Sequence, residues 1–280
     1  MKKWYAVIGD PISQSMSPNM HDDWFSENGL HASYIPIHVR EEDLEQTIIG
    51  LKRLGCSGWN VTVPHKSAII PLLDELDPSA KRMNAVNTVE VLSDGTLRGS
   101  NTDGEGFVQS LEEAFGKKCK GQRVLIIGAG GAARGIGYAL HEAGYGPIVF
   151  TNRTIGKAEE LAGGIPDSSV LSVTDAEAML STFALIVQTT SVGMKFAQKG
   201  IPLNPEKLVK GTIVADIIYN PLESEFLLEA RKRGALVMNG TGMFIHQGAL
   251  AFNKWTKVQP NTETMIHKIT EILGGTYVNK

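Results

Sequence analysis

Short apolar runs alternate with segments of helical period through the first part of the chain. Runs at residues 4–8, 33–37 and 58–63 are typical of strands, and the segments 18–27 and 41–54 repeat apolar residues at helical spacing. Strands that alternate with helices in this way predict βαβ units and a parallel sheet.

The pattern changes after the third predicted strand. Residues 64–84 are helical in pattern, but Pro71 and Pro78 interrupt them, because proline breaks the hydrogen bonding of a helix interior. The run AVNTVEV at 85–91 predicts a further strand, and apolar spacing predicts a helix over 103–115.

The alternation restarts after a polar linker, GKKCKGQ, at 116–122. Strands are predicted at 123–128, 147–152, 184–189, 212–218 and 235–239, and helices at 131–143, 155–162 and 225–234. Gly234 is placed to end the last of these helices. A second run of βα units after a linker predicts a second hydrophobic core.

The chain ends with two helical patterns, at 243–255 and 263–273, that have no strand between them. We expect them to pack against the first core. The predicted fold is therefore α/β with two domains. Residues 1–102 plus 242–280 are expected to form an open, mostly parallel α/β domain, and residues 103–241 a Rossmann-type, doubly wound domain.

Composition and charge narrow the class of protein. The 280 residues are 42% hydrophobic and 20% charged, which is typical of an ordered globular protein of about two domains. A net charge of -3 provides no overall positive field for nucleic acid or an anionic membrane. The short apolar run at the amino terminus is not a secretory signal, and no run approaches the ~18 apolar residues of a membrane span. A cytoplasmic protein is expected.

The two cysteines, Cys56 and Cys119, lie far apart in the sequence and lack metal-ligand spacing. We interpret them as reduced thiols, and we expect no metal ion.

The stretch VLIIGAGGAARGIGYAL predicts a dinucleotide-binding loop. Its G-x-G-x-x-A spacing places Gly128 in a tight turn, Gly130 against a pyrophosphate and Ala133 where helix and strand pack closely. The expected cofactor contacts in the loop are Gly128, Ala129, Gly130, Gly131 and Ala132. A tight βα turn without a ligand is the alternative, but a strand and a helix flank the motif as a cofactor site requires.

The tip of the next predicted strand indicates which dinucleotide binds. An acidic residue there would accept the ribose 2′-hydroxyl of NAD, but the tip carries Asn152, Arg153, Thr154 and, one turn later, Lys157. A guanidinium can bind a 2′-phosphate with two hydrogen bonds, so NADP is favoured. Alternatively, Arg153 is a solvated loop residue.

Polar residues cluster at predicted strand ends in the first domain. Ser15 and Ser17 precede a helix, and Ser17 before Pro18 is typical of an N-cap with proline at the first helical position. The other candidates are Asn60, Thr62, Lys66, Asn87 and Asp103. Each has an ordinary structural reading by itself: a solvated lysine, a turn asparagine or a helix cap.

Taken together, the motifs resemble the shikimate dehydrogenase family along nearly the whole chain. They are NVTVPHK, AVNT, SNTDG, GAGGAARG, NRT, TTSVGM, DIIYNP and GTGMFIHQGALAF. The resemblance implies NADP-dependent, reversible reduction of 3-dehydroshikimate to shikimate, a step in chorismate and aromatic amino-acid biosynthesis. The first domain would then bind a small-molecule substrate and the second NADP. A monomer or a homodimer is expected.

The resemblance also implies roles for individual residues. Ser15 and Ser17 would hold the substrate carboxylate, and Lys66 would carry the proton. Ring-hydroxyl and other substrate contacts would come from Asn60, Thr62, Asn87, Asp103, Tyr219 and Gln247. Further cofactor contacts would come from Thr190, Ile217, Gly240 and Met243.

The sequence departs from the family pattern at three positions. Lys157 stands where arginine is frequent, which weakens a two-bond grip on a 2′-phosphate without removing the charge. Gln188 replaces a common asparagine, and Asn84 replaces a common glycine. Asparagine tolerates a positive φ, so a turn at Asn84 is retained.

The proton chemistry is left with alternatives at this point. Lys66, paired with Asp103, would deliver a proton to the alkoxide that forms as hydride reaches the ketone carbon, although Asp103 is an alternative carrier. Other functions that fit the motifs are a quinate/shikimate dehydrogenase with relaxed cofactor use and a non-catalytic NADP-sensing module.

Overall fold

A computed structural model describes residues 2–13, 15–195 and 198–274. The chain divides into two compact units. The first contains the residues up to Asp103 together with Gln247–Met265, and the second contains Gly104–His246 and continues from Ile266. The assignment of substrate binding to one domain and cofactor binding to the other stays a prediction.

The first unit contains one six-stranded sheet. Its strands are β1 (Lys3–Gly9), β2 (Ala32–His38), β3 (Gly58–Val61), β4 (Glu75–Leu76), β5 (Thr88–Val91) and β6 (Leu97–Ser100), in the order β2-β1-β3-β5-β6-β4. Its helices include α1 (Ser17–Glu27), α2 (Leu44–Arg53) and α3 (Pro78–Met83). The apolar positions of α2 at helical spacing, Leu44, Ile48 and Leu51, are buried in the same core cluster as Ile8 and Trp59. This is the amphipathic arrangement that the sequence predicts for 41–54.

Strand direction in this sheet brings polar chain segments to one edge. β1 pairs in parallel with β2 and β3, whereas β5 runs antiparallel to both β3 and β6. Since Asn60 pairs with Thr88 and Thr88 with Ser100, the start of β5 lies beside the ends of β3 and β6. The segments that follow β1, β3 and β6, and the segment that precedes β5, therefore meet at the same edge. A wholly parallel sheet would place the start of β5 at the opposite edge.

The second unit contains a wholly parallel sheet. Its strands are β7 (Val124–Ile127), β8 (Ile148–Thr151), β9 (Ser168–Leu171), β10 (Leu185–Gln188), β11 (Ile213–Asp216) and β12 (Leu236–Met238), in the order β12-β11-β10-β7-β8-β9. The remaining helices are α4 (Asp103–Phe115), α5 (Gly131–Glu142), α6 (Ile155–Ala162), α7 (Val173–Ala178), α8 (Glu225–Lys232), α9 (Thr241–Thr256) and α10 (Thr262–Ile272). The strand order reverses between β7 and β10, as in a Rossmann fold. Two clusters of buried apolar residues pack against the sheet.

The predicted α/β class with a Rossmann-type domain is confirmed, and the bounds of most elements agree with the predictions to within a few residues. The sequence pattern misses β4, β6, β9 and α7, and residues 64–84, expected to be helical, contain the two-residue strand β4 before α3. β6 (LRGS) and β9 (SSVL) are short and polar, and α7 has six residues, so none carries a clear apolar period.

No helix in the described part of the chain is long and apolar enough to cross a membrane. A search of the same residues finds no group of three or more His, Cys, Asp or Glu side chains that could hold a metal ion. Cys56 and Cys119 are free and buried. Burial raises the pKa of Cys56 to about 12, so its thiol stays protonated and unreactive.

Candidate active site

The turn that carries Lys66 is fixed by main-chain and buried side-chain hydrogen bonds. The amide of Thr62 donates to the carbonyl of Ile8 (3.0 Å). The buried His65 donates from Nε2 to the carbonyl of Val39 (2.6 Å). At Lys66 itself, the carbonyl accepts from the amide of Val86 (2.7 Å). The backbone that presents Lys66 is therefore held from three neighbouring segments.

Lys66 and Asp103 form a close ion pair. The distance from Lys66 Nζ to Asp103 Oδ2 is 2.6 Å, and the side chains are 31% and 13% exposed. The other carboxylate oxygen, Oδ1, accepts from Asn87 Nδ2 at 2.8 Å. Asp103 thus receives a charged donor on one oxygen and an amide donor on the other, which fixes the plane of its carboxylate.

Asn87 is oriented by its neighbours on both sides of the amide. Its Oδ1 accepts from the amide of Thr102 (3.0 Å) and from the hydroxyl of Thr88 (2.8 Å). Only the oxygen of the amide can accept, so Nδ2 must face Asp103. Asn87 Nδ2 also lies 3.5 Å from Oε1 of Gln247, which brings a third predicted substrate contact to the same place.

Asp103 is the first residue of α4, and its amide donates to Oδ1 of Asn101 (3.0 Å). A carboxylate in the first turn of a helix is stabilised by the positive end of the helix dipole. The antiparallel strand β5 makes this arrangement possible, because Asn87 precedes it and Asp103 follows β6 at the same edge.

The prediction that Ser17 caps α1 is wrong. The helix begins at Ser17 itself, the capping position is Met16, and no side chain makes a capping hydrogen bond. Instead, Oγ of Ser15 accepts from the amide of Ser17 (3.3 Å). The hydroxyl of Ser17 therefore has no capping role.

Asn60 and Thr62 lie at the end of β3 and just after it. Asn60 is buried and donates from Nδ2 to the carbonyl of Asn87 (3.0 Å) and to the hydroxyl of Thr88 (3.1 Å). Thr62 lies close to Gly9, since a Cβ at Gly9 would approach the Thr62 methyl group to 2.3 Å. Glycine is therefore required where the end of β1 passes this residue.

In the second unit, the glycine loop has the shape that a pyrophosphate requires. Gly128 has φ +118, and a Cβ there would lie 2.5 Å from the Thr189 hydroxyl. A Cβ at Gly130 or Gly131 would meet nothing within 4 Å, so these positions leave open space at the start of α5. Ala133 is buried under the loop. Free helix N–H groups facing open space fit the diphosphate of a dinucleotide.

The predicted 2′-phosphate residues lie together after β8. Asn152 donates from Nδ2 to the carbonyl of Thr154 (2.8 Å), and this bond closes the loop before α6. Arg153, Thr154 and Lys157 are exposed. No acidic residue occupies the loop from 152 to 154, so its charge favours a phosphate over a free hydroxyl.

Thr190 lies in the loop after β10, where Gln188 controls the backbone. The buried Gln188 accepts from the amide of Thr190 (2.9 Å) and donates to the carbonyls of Thr190 and Val192 (both 3.1 Å). The Thr189 hydroxyl donates to the carbonyl of Ile127 (2.7 Å), which ties this loop to the glycine loop. The two loops meet where the strand order reverses, the usual ligand position in such sheets.

Ile217 and Gly240 approach each other closely. A Cβ on Gly240 would lie 2.0 Å from the carbonyl oxygen of Ile217, so no other residue fits there. The loop that contains Ile217 is held by the carboxylate of Asp216, which accepts from the amide of Ile218 (3.0 Å) and from the Ser224 hydroxyl (2.6 Å). Burial raises the pKa of Asp216 to about 6.

Two further predicted contact residues, Met243 and Tyr219, also lie in the second unit. Met243 packs on the core cluster that contains Ile126 and Met238. Tyr219, predicted as a substrate contact, belongs to this unit and stacks on Phe244 with ring centroids 5.0 Å apart.

The structure thus gathers the predicted residues into two groups. The first unit joins Lys66, Asn87, Asp103 and Gln247 in one hydrogen-bonded cluster, and the second joins the loops after β7, β10 and β11. Sequence reasoning missed the residues that orient the predicted ones: Thr88, Asn101, Thr102, Gln188 and Tyr34. Only Asn101 had a sequence signal, since an asparagine two residues before a helix start is a frequent local hydrogen-bond acceptor.

The arrangement defines a class of protein: an α/β chain with a Rossmann-type dinucleotide loop in one unit and an ammonium–carboxylate pair, suited to proton transfer, in the other. Three family models match the chain. The model of the shikimate dehydrogenase substrate binding domain matches residues 7–89, that of shikimate / quinate 5-dehydrogenase matches 110–216, and that of the shikimate 5′-dehydrogenase C-terminal domain matches 240–269.

Known proteins are similar along almost the whole chain. An NADP(+) shikimate dehydrogenase of Lysinibacillus sphaericus is 51% identical over 275 residues, which cover 98% of this chain and all of that protein. A shikimate dehydrogenase solved in complex with NADP+ is 39% identical with a TM-score of 0.91, covering 97% of this chain and 96% of the other.

A Thermus thermophilus shikimate 5-dehydrogenase, solved with NADP(H) and shikimate, is 35% identical with a TM-score of 0.86 and covers 94% of this chain and 97% of its own. The chain belongs to the shikimate dehydrogenase family. The resemblance that the sequence motifs indicate is confirmed.

Proposed function

We propose that this chain catalyses the reversible, NADPH-dependent reduction of 3-dehydroshikimate to shikimate. The observation that carries the proposal is the Lys66–Asp103 pair at 2.6 Å, with Asn87 on the second carboxylate oxygen. A ketone reduction needs a proton donor beside the carbon that receives hydride, and a partly exposed ammonium held by a carboxylate can give a proton to a ligand.

The residues of this chain divide the work as follows. Bound NADPH supplies the hydride. Lys66 donates a proton from Nζ to the oxygen that becomes the shikimate hydroxyl, and it takes that proton back in the oxidation. Asp103 holds the ammonium in place and stabilises its charge, while Asn87 and Gln247 keep the carboxylate and the neighbouring space polar.

Three groups of residues would hold the two ligands. Ser15 and Ser17 bind the substrate carboxylate, Asn60 and Thr62 bind its ring hydroxyls, and Arg153 with Lys157 binds the 2′-phosphate. The exposed cations after β8 and the open space at Gly130 and Gly131 support NADP as the cofactor. The proposal places the reaction in aromatic amino-acid biosynthesis and the protein in the cytoplasm, where its two free thiols would stay reduced.

The test is an initial-rate assay of the purified chain by nicotinamide absorbance, with shikimate or quinate and with NADP or NAD. We expect kcat/KM for shikimate with NADP to exceed each other combination by roughly 10-fold or more, because the 2′-phosphate of NADP adds a charge-assisted contact and the extra hydroxyl of quinate needs a partner that the site must supply. Equal rates with quinate and NAD would favour a quinate/shikimate dehydrogenase. Absence of turnover with tight NADP binding would favour an NADP-sensing module.

A further inference from the structure

A buried tyrosine is hydrogen-bonded to one of the residues assigned to the substrate. Tyr34, on β2, is buried, and its hydroxyl donates to Oδ1 of Asn60 at 2.6 Å. In the strand order β2-β1-β3, β1 lies between the two residues, so this hydrogen bond joins strands that are not neighbours.

The hydroxyl of Tyr34 remains a donor under all ordinary conditions. Burial raises the pKa of Tyr34 well above its usual value. The ring is held between neighbours: it stacks on His21 with centroids 4.3 Å apart and an interplanar angle of 11°. The main-chain amide of Tyr34 donates to Asp22 Oδ1 (2.8 Å), which fixes the strand beside α1.

The hydrogen bonds of Asn60 show what this donor does. Both Nδ2 protons are used, one toward the carbonyl of Asn87 and one toward Thr88 Oγ1. Oδ1 accepts from Tyr34 and keeps one free lone pair. Asn60 can therefore offer a ligand only an acceptor, and the hydrogen bond from Tyr34 holds that acceptor oxygen in place.

We propose that Tyr34 is a positioning residue of the substrate site: it holds Asn60 as an acceptor for a substrate hydroxyl. This inference rests on the proposed function. Tyr34 is only 3% exposed, so its effect would reach the substrate through Asn60. It therefore acts on substrate binding more than on the proton-transfer step.

The experiment compares Tyr34→Phe with a matched variant, Tyr5→Phe. Tyr5 is equally buried in the same unit and stacks on Phe25 and Trp255 with centroids 5.2 and 5.0 Å away. Each substitution removes one hydroxyl from a buried ring. We expect Tyr34→Phe to raise the KM for shikimate by roughly 10-fold with kcat changed less than about 3-fold, and Tyr5→Phe to leave both near the wild-type values.

A double-mutant cycle separates positioning from general stability. In an Asn60→Ala background, Tyr34→Phe should raise the KM for shikimate less than about 2-fold, because the residue through which it acts is gone. The KM for NADP should stay unchanged throughout. Thermal unfolding of each protein shows whether the fold is retained.

The outcomes are distinct. A shikimate KM equal to wild type in Tyr34→Phe, a full effect that persists without Asn60, or a Tyr34→Phe protein that does not fold would overturn the positioning role while wild-type activity stands. A wild-type chain that does not turn over shikimate with NADP would overturn the proposed function, and this inference with it.

Discussion

The two units hold their predicted functional groups by different physical means. In the first unit, the functional side chains are held by hydrogen bonds from other residues. Asp103 accepts from Lys66 and Asn87, and Asn87 accepts from Thr88 and Thr102. In the second unit, the glycine loop has almost no side chain, and the cations after β8 are exposed. Buried hydrogen-bond networks fix positions within a few tenths of an ångström, whereas exposed charges bind without a fixed geometry.

The difference matches two kinds of task. Proton transfer needs donor and acceptor at hydrogen-bond distance and in one orientation, which the first unit's network provides. Anion binding needs main-chain N–H groups, empty space and positive charge, which the second unit provides. Substitutions in the first unit's cluster should therefore lower kcat, and substitutions at the strand tip of the second should raise the KM for the cofactor.

Replacing Lys66 should have the largest effect. Lys66→Ala removes the proposed proton carrier, so turnover should fall by ~10²-fold or more, with a modest change in the KM for NADP. Lys157→Ala is the matched control, because it removes a lysine from the cofactor side and should leave kcat nearly intact. Steady-state kinetics on both variants checks the contrast. Near-normal turnover of Lys66→Ala would leave Asp103 as the carrier.

Cofactor binding can be weakened separately by replacing Arg153. Arg153→Ala should raise the KM for NADP by roughly 10-fold, since a charge-assisted pair with a phosphate is lost. The KM for NAD should stay the same, because NAD has no 2′-phosphate. Rates measured with both cofactors decide the matter. If kcat/KM fell equally with NADP and NAD, Arg153 would support the loop and would not bind the 2′-phosphate.

Local patterns in the sequence predicted most helices and strands, together with the candidate residues that lie in short motifs. The apolar period predicted five of the six strands of the second sheet, and the glycine spacing predicted a loop that the structure shows at Gly128–Gly131. Both signals lie within a few consecutive residues. That is why they are visible without a structure.

The hydrogen bonds that orient the cluster could not be predicted, because they depend on pairing between distant strands. Thr88 contacts Asn60 only because β5 is antiparallel to β3 in one particular register. A shift of one residue would turn these side chains to the other face. Tyr34 reaches Asn60 through the order β2-β1-β3, which no local period encodes.

The two units also each contain a buried ionisable group whose charge should affect stability. Of the two, His21 in the first unit should change the free energy of unfolding more than Asp216 in the second. It is fully buried among Trp24, Phe25, Tyr34, Phe252 and Trp255. Neither ring nitrogen has a hydrogen-bond partner among the described residues, and burial lowers its pKa from 6.5 to about 3. The folded state therefore favours neutral His21, and stability is lost as pH falls below the unfolded value.

His21→Phe should remove this loss. Between about pH 8 and about pH 5, the free energy of unfolding of the wild type should fall by about 2 kcal/mol relative to the variant. Phenylalanine is larger than histidine, so a constant packing cost is expected, but it does not vary with pH. Denaturant unfolding at several pH values measures the slope. Parallel curves for the two proteins would show that His21 is protonated or solvated in the folded state.

Asp216 in the second unit should respond in the opposite direction and more weakly. Burial raises its pKa from 3.8 to about 6, so the folded state binds the proton more tightly than the unfolded state does. The stability contribution is complete below the unfolded pKa and is lost as pH rises through about 6. Asp216→Asn keeps the shape, and the Ser224 hydroxyl can turn to accept from the new amide.

Relative to Asp216→Asn, the wild type should lose about 1 kcal/mol of unfolding free energy between about pH 5 and about pH 8. The slopes of unfolding free energy against pH are opposite at Asp216 and His21 because one group is an acid and the other a base. Burial disfavours the charged form of both groups. An acid is charged above its pKa, whereas a base is charged below it. Unfolding curves over this pH range measure both slopes. If the Asp216→Asn protein and the wild type kept a constant difference, then water or an unseen donor must stabilise the carboxylate, and the Ile217 loop would be held by a fully charged group.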